Sequence, residues 1–195
     1  VSGPEAPGSA APGPSHVVIR RACPEDADRI AAVHVATWKE TYLDLLPEGF
    51  FTEGHSRQRR EMWAQILGES RNEWNIRLAE SDGEIIGFAM AGPAQEQAQS
   101  AASPARSLYM VYVLRRHHGT GAGQTLLDAT LGTGSGSDSE LGPGSDSVTE
   151  PVDLWVAKQN PRAIAFYLRN GFRFDGAEKR DPGAPAITDA RMVRP

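Results

Sequence analysis

Three features of the sequence predict a mixed α/β fold built on one central sheet. Two apolar-rich runs, 74–80 and 84–91, are joined through Ser81-Asp82-Gly83, and Asp-Gly between such runs marks an antiparallel hairpin. A β-branched and aromatic run at 107–114 leads through Gly119, Gly121 and Gly123 into a helix carrying Leu126, Leu127 and Leu131. A second short strand, 152–156, leads into a helix opened by Asn160-Pro161 and ended by Gly171. A hairpin beside strands that alternate with helices describes a sheet with helices packed on it.

The elements follow in order. Residues 1–15 are Pro, Gly, Ala and Ser with one charge, a composition too poor in apolar groups to offset the entropy of ordering, so they are expected to form a disordered tail. His16 to Arg21 reads as a strand. Pro24-Glu25-Asp26 then opens a helix with acidic residues where its dipole favours them. Ala27, Ile30, Ala31, His34, Trp38, Tyr42 and Leu45 keep helical spacing until Pro47 stops the run. A second helix over 56–67 buries Met62, Trp63, Ile66 and Leu67 and leaves Arg57, Arg59 and Arg60 as a solvated face. Residues 93–105 lack periodicity and read as a loop, and 133–151, rich in Gly, Ser and Asp, as a flexible insertion. Short strands at 172–174 and 187–193 close a single domain spanning 16–195, with about seven strands and about four helices.

Composition narrows the function. At 195 residues the chain suits one domain with a full core. No apolar run approaches a bilayer span and the N-terminal tract has no signal-peptide pattern, so a cytoplasmic protein without membrane association is expected. The single cysteine, Cys23, cannot form an internal disulfide. A net charge of −5 disfavours nucleic acid and mildly favours a cationic small substrate. No metal site is expected, and exposed sheet edges leave room for a homodimer.

The glycine turn points to an anion. Glycines 119, 121 and 123 at a helix start let backbone N–H groups approach a ligand, and those donors with the helix dipole suit a pyrophosphate. A Walker loop would close with Gly-Lys-Ser/Thr, but Gln124-Thr125 follows Gly123. A dinucleotide fingerprint would space its third glycine one residue later and sit early in a strand-helix-strand array.

With these residues in view, the chain resembles the GNAT superfamily of acetyl-CoA-dependent N-acetyltransferases. Residues 111–127 look like that family's pyrophosphate motif Gln/Arg-x-x-Gly-x-Gly/Ala. Asn160, Ala163, Phe166, Tyr167, Gly171 and Phe172 match its Asn-x-x-Ala-x-x-Phe-Tyr-x-x-x-Gly-Phe segment. The resemblance implies a largely antiparallel sheet, acetyl-CoA as co-substrate and direct transfer to a primary amine. It also implies residue roles. Val111, Tyr112 and Val113 would flank the pantetheine arm. His118, Gly119, Thr120, Gly121, Ala122, Gly123 and Gln124 would wrap the pyrophosphate. Asn160 would contact the cofactor while capping its helix, and a backbone N–H near Val113 would polarise the thioester carbonyl. Tyr167 would protonate the departing thiolate.

Two departures stand out. His118 replaces the motif's Gln or Arg, and the positions where relatives often carry a glutamate base are Ser107 and Trp155. No base carries over, which leaves Glu40, Asp44, His34 and His117 as candidates through water. His34, Trp38 and Tyr42 share one helical face, which either packs into the core or, as the resemblance implies, borders the acceptor cleft, where the aromatic rings would receive a cationic, polyamine-like amine. Peptide N-terminal acetylation and a non-catalytic acyl-CoA-binding module are the alternatives.

Overall fold

The structure, a computed structural model, describes residues 17–69, 73–94, 104–132, 150–181 and 184–195. The expected tail, nearly all of the 133–151 insertion and most of the 93–105 loop lie outside them.

Strand β1 (Val18–Arg21) is followed by a short 3-10 turn and helix α1 (Ala27–Tyr42), then α2 (Glu53–Gly68). Strands β2 (Asn75–Ser81), β3 (Glu84–Pro93) and β4 (Arg106–Val113) precede α3 (Ala122–Leu131), β5 (Val152–Ala157), α4 (Pro161–Arg169), β6 (Arg173–Asp181) and β7 (Ala184–Arg194). The seven strands form one sheet in the order β1-β2-β3-β4-β5-β7-β6. Every pairing is antiparallel except β4 with β5. The mixed, largely antiparallel sheet and its four α-helices agree with the sequence reading.

Local chemistry explains the element ends. Asp82 and Gly83 have φ of 52° and 78°, the double positive φ of a tight hairpin turn. Thr52 caps α2 through its hydroxyl, which accepts from the N–H of His55, so α2 starts earlier than its apolar spacing indicates. Gly132, at φ 75°, ends α3. Strands β6 and β7 are longer than expected. Their outward residues are charged and hide the strand period, while an Arg191–Asp175 ion pair links the two strands and Lys158, just after β5, pairs with Glu178 of β6.

Alternation along the strands sends side chains to two cores. On one face α1 and α2 bury Ile30, Val33 and Trp63 against Leu78, Phe88 and Met90. On the other, α3 and α4 pack Leu127, Leu131 and Tyr167 onto Leu154, Phe172 and Met192. Arg59 departs from the expected solvated face: its guanidinium turns in and lies 5.5 Å over the Trp38 ring.

The start of α1 is tied to the sheet by charge. Arg20 donates to both oxygens of buried Asp26, at 2.6 and 2.7 Å, and to Glu80 at 2.8 Å. Arg20 holds the Asp26 carboxyl well below the usual carboxylate range. Stability from this pair is therefore present above the unfolded pKa of about 4 and lost as pH falls further. Arg20→Met is expected to cost about 2 kcal/mol at pH 7, less than a fully buried pair because 31% of the Arg20 side chain remains exposed. Urea denaturation should show the gap to wild type narrowing below pH 4.

Candidate active site

Strands β4 and β5 form a fork. They pair in parallel only from Arg106 with Val152 to Leu108 with Leu154, and beyond that they part. The N–H of Leu114 donates to Ile86 on β3, so by alternation the N–H groups of Val113 and Val111 face the opening. Gly87 makes this placement possible: a Cβ there would sit 2.6 Å from the Tyr112 carbonyl oxygen.

A cleft of about 720 Å³ occupies the fork, within the size range of small-molecule sites. Its upper wall is the glycine turn. Gly119 and Gly121 have φ of 82° and 91°, in the left-handed region that favours glycine. The N-cap Gly121 has no side chain to cap α3, so only the N–H of Ala122 meets a side chain there, Thr120 Oγ1 at 3.4 Å. Gly119, Gly121, Gly123 and Gln124 line the cleft, while Thr120 and Ala122 complete the turn. Thr120 braces it through a hydroxyl donated to the His117 carbonyl. His118 lines the cleft too, with Nε2 2.8 Å from the carbonyl oxygen of Val113. The ring thus bolts the turn to the end of β4. Gln124 sends its amide to Asp128 and Asn170, which leaves its backbone on the turn.

The lower wall comes from α4. Asn160 Oδ1 accepts from the N–H of Ala163, and its Nδ2 lies 3.4 Å from Tyr42 Oη, linking α4 to the end of α1. Tyr167 is 8% exposed and lies edge-on to Phe166 and Phe172 at 5.3 and 5.7 Å. Its hydroxyl makes no hydrogen bond among the described residues and borders the cleft. Burial, with Tyr112 and Tyr42 nearby, pushes its pKa upward, so the phenol keeps its proton. The rim is basic: Arg115, His117, Arg162 and Arg169 stand there against Glu40.

The proposed acceptor face divides. His34 is 3% exposed, and its Nδ1 accepts from Trp63 Nε1 at 3.2 Å. Its ring is packed against Phe88 and Tyr112, and burial, then the charges of Arg59 and His55, push its pKa down to about 3. It belongs to the core rather than to a cleft wall. Trp38 donates Nε1 to Tyr112 Oη at 2.9 Å and lies edge-on to Tyr42 at 5.4 Å. The Trp38 ring already carries Arg59, which corrects the expectation that it offers a free face to a cationic amine.

The base candidates are also rearranged. Glu40 accepts from the backbone N–H of Arg115 at 2.8 Å and so anchors the turn after β4. His117 accepts from Arg116, and Asp44 is exposed outside the cleft. Asp153, which pattern reading passed over, is a buried carboxylate at 6% exposure. It accepts a hydrogen bond from Ser107, its parallel partner one residue before the fork opens. No basic side chain pairs with it among the described residues. By alternation both side chains lie on the sheet face opposite Leu108 and Leu154, and neither lines the cleft. The available signal was one charged residue inside the apolar run Val152-Asp153-Leu154-Trp155-Val156.

The sequence pattern of the Acetyltransferase (GNAT) family matches residues 37–172. The "uncharacterized N-acetyltransferase YuaI" of Bacillus subtilis is 30% identical over 152 residues, 77% of each chain. The "probable N-acetyltransferase Rv2775" of Mycobacterium tuberculosis is 30% identical over 169 residues, 84% of this chain and 83% of that one. Among solved structures, the PaiA N-acetyltransferase of Thermoplasma acidophilum in complex with coenzyme A superposes with a TM-score of 0.63 at 20% identity. The match covers 92% of this chain and 98% of that one, and it shows a shared fold.

Proposed function

The chain belongs to the GNAT family and is an N-acetyltransferase, and from that premise we propose that it moves the acetyl group of acetyl-CoA directly to a primary amine of a small molecule. The observation that carries this reading is the fork itself, with open backbone donors on one arm, a glycine-rich helix start above it and a protonated phenol below it.

The residues present fit the co-substrate. The left-handed glycines and the first-turn N–H groups of α3 after Ala122 suit the pyrophosphate, and Arg162 and Arg169 add positive charge that is unpaired among the described residues. The N–H groups of Val111 and Val113 suit the pantetheine amides, and one of them is placed to hydrogen-bond a thioester oxygen as it gains charge.

For transfer, the ammonium must first lose a proton, and the acceptor we assign is Asp153, reached through the Ser107 hydroxyl or a water. Ser107 passes its own proton to the carboxylate as it takes one from water that bridges to the amine in the cleft. The free nitrogen then forms a bond to the carbonyl carbon. Collapse of the tetrahedral intermediate breaks the carbon–sulfur bond, Tyr167 supplies the proton that the departing thiolate takes, and the proton still carried by the nitrogen leaves through water, which returns one to the Tyr167 oxygen. No covalent enzyme intermediate is required.

Calorimetry with acetyl-CoA, followed by turnover on a panel of amino acids, diamines, aminoglycosides and N-terminal peptides, tests the reading. Acetylation confined to peptides would move the acceptor to protein N-termini. Gly121→Ala forces a side chain into the left-handed region at about 1–2 kcal/mol, and should weaken acetyl-CoA binding about tenfold. Unchanged affinity would remove the turn from pyrophosphate binding.

A further inference from the structure

Beside the fork, on the side of α1 and α2, three basic side chains gather on one aromatic cluster. Arg59 Cζ lies 5.5 Å over Trp38, and Trp38 stacks on Phe50 with ring centroids 6.4 Å apart. Phe50 and Phe51 both contact His55, at 5.0 and 5.6 Å, and Lys39 Nζ lies 5.5 Å from the Phe51 ring. Two acids on these helices are engaged elsewhere, Glu53 with Arg60 and Glu40 with the N–H of Arg115, while Asp44 and Glu48 on the connection between them are exposed.

Arg59 is half-buried, and among the described residues its polar contact is the Met62 sulfur, 3.5 Å from Nη1. No carboxylate meets it among the described residues. Both ring nitrogens of His55 are buried without a partner. Burial, then the charges of Arg59 and Lys39, push the His55 pKa down, so its ring adds an N–H donor rather than a charge, and the partly desolvated Arg59 guanidinium without an anion is costly. The cluster lacks one component, a compact anion.

The cluster also touches the reaction site. Trp38, beneath Arg59, donates to Tyr112 Oη, and Tyr112 lines the cleft. An anion held by Arg59 therefore lies on the α1–α2 side of the cleft, linked to it through Trp38 and the Tyr112 phenol.

We infer that the acceptor is a primary amine bearing an oxyanion, a carboxylate or phosphonate a few carbons from the nitrogen, which Arg59 binds with Lys39 and His55 beside it. This rests on the N-acetyltransferase reading and names its substrate class. Arg59 presents a planar fork of donors suited to two oxygens of one anion. A polyamine would instead bring a second ammonium against the cations Arg59 and Lys39. The chain's overall charge of −5 does not describe this local surface.

The test uses acceptors of nearly matched length with the full chain and acetyl-CoA: 4-aminobutyrate, 3-aminopropylphosphonate, neutral 4-aminobutanamide and 1,4-diaminobutane. The better of the two anionic amines is expected to exceed the diamine in kcat/KM by about 100-fold and the amide by about 10-fold, as charge-assisted hydrogen bonds allow. Comparison of the two separates carboxylate from phosphonate recognition. In Arg59→Gln the anion-to-amide ratio should collapse toward one through KM, and Arg59→Lys should restore part of it.

A diamine or amide used as well as the anions would overturn the inference. A preference that survives Arg59→Gln would overturn the assignment to Arg59. The wild-type ratios need no variant to fold. Calorimetric titration of the same four amines into the CoA-loaded protein reads the anion site without turnover. Anion binding without acetylation of any amine would contradict the transferase reading and leave the site standing, whereas acetylation with the diamine preferred would do the reverse.

Discussion

Tyr167→Phe is expected to lower kcat about 100-fold while acetyl-CoA affinity changes less than twofold. The substitution removes one hydroxyl that makes no hydrogen bond among the described residues, so no buried partner is orphaned. The ring keeps its edge contacts with Phe166 and Phe172. Thermal unfolding should therefore move little. What disappears is a proton held on oxygen by burial at the floor of the cleft, where a leaving thiolate needs it. Proton donation by a positioned side chain contributes about 10²–10⁴-fold, and water entering the gap would supply part of the loss. Single-turnover kinetics separates the two quantities, and unchanged kcat would take Tyr167 out of the donor role.

Asp153→Asn should lower kcat/KM about 100-fold near neutral pH, with a distinctive pH dependence. The asparagine keeps the shape and can still accept from Ser107, but it cannot take the ammonium proton. Turnover in the variant then depends on amine already deprotonated in solution. Its rate should climb with pH in step with the free-amine fraction, closing on wild type in alkali. A merely structural aspartate would lower the rate equally at every pH. Ser107→Ala should cost less, because water can replace the hydroxyl between amine and carboxylate.

Much of the fold was legible because its signals are local. Asp82-Gly83 specifies its hairpin turn, Asn160-Pro161 its helix start, and Gly132 and Gly171 their helix ends, each through one or two residues. The glycine turn and the Tyr167 helix were legible for the same reason.

The rest depends on contacts distant in sequence. That β4 and β5 pair for three residues and then part is a matter of register between strands some forty positions apart. Asp153 acquires its place from that register, since nothing local joins it to Ser107. Glu40 was the leading base candidate by position on α1, and the N–H of Arg115, 75 residues on, claims its carboxylate. Arg59 looked solvated because its neighbours Arg57 and Arg60 are basic too. Only the tertiary packing of α2 on α1 shows that it turns onto Trp38. His34 shares its helical face with Trp38 and Tyr42, yet the packing of Trp63 and Phe88 around it makes it core.

The central claim is direct transfer of an acetyl group in the fork, and intact-mass analysis of a single turnover with carbonyl-labelled acetyl-CoA tests it most directly. The account predicts label on the amine product, CoA released in equal amount and a chain of unchanged mass throughout. A transient acetylated chain, or CoA released without acetylated amine, would contradict it.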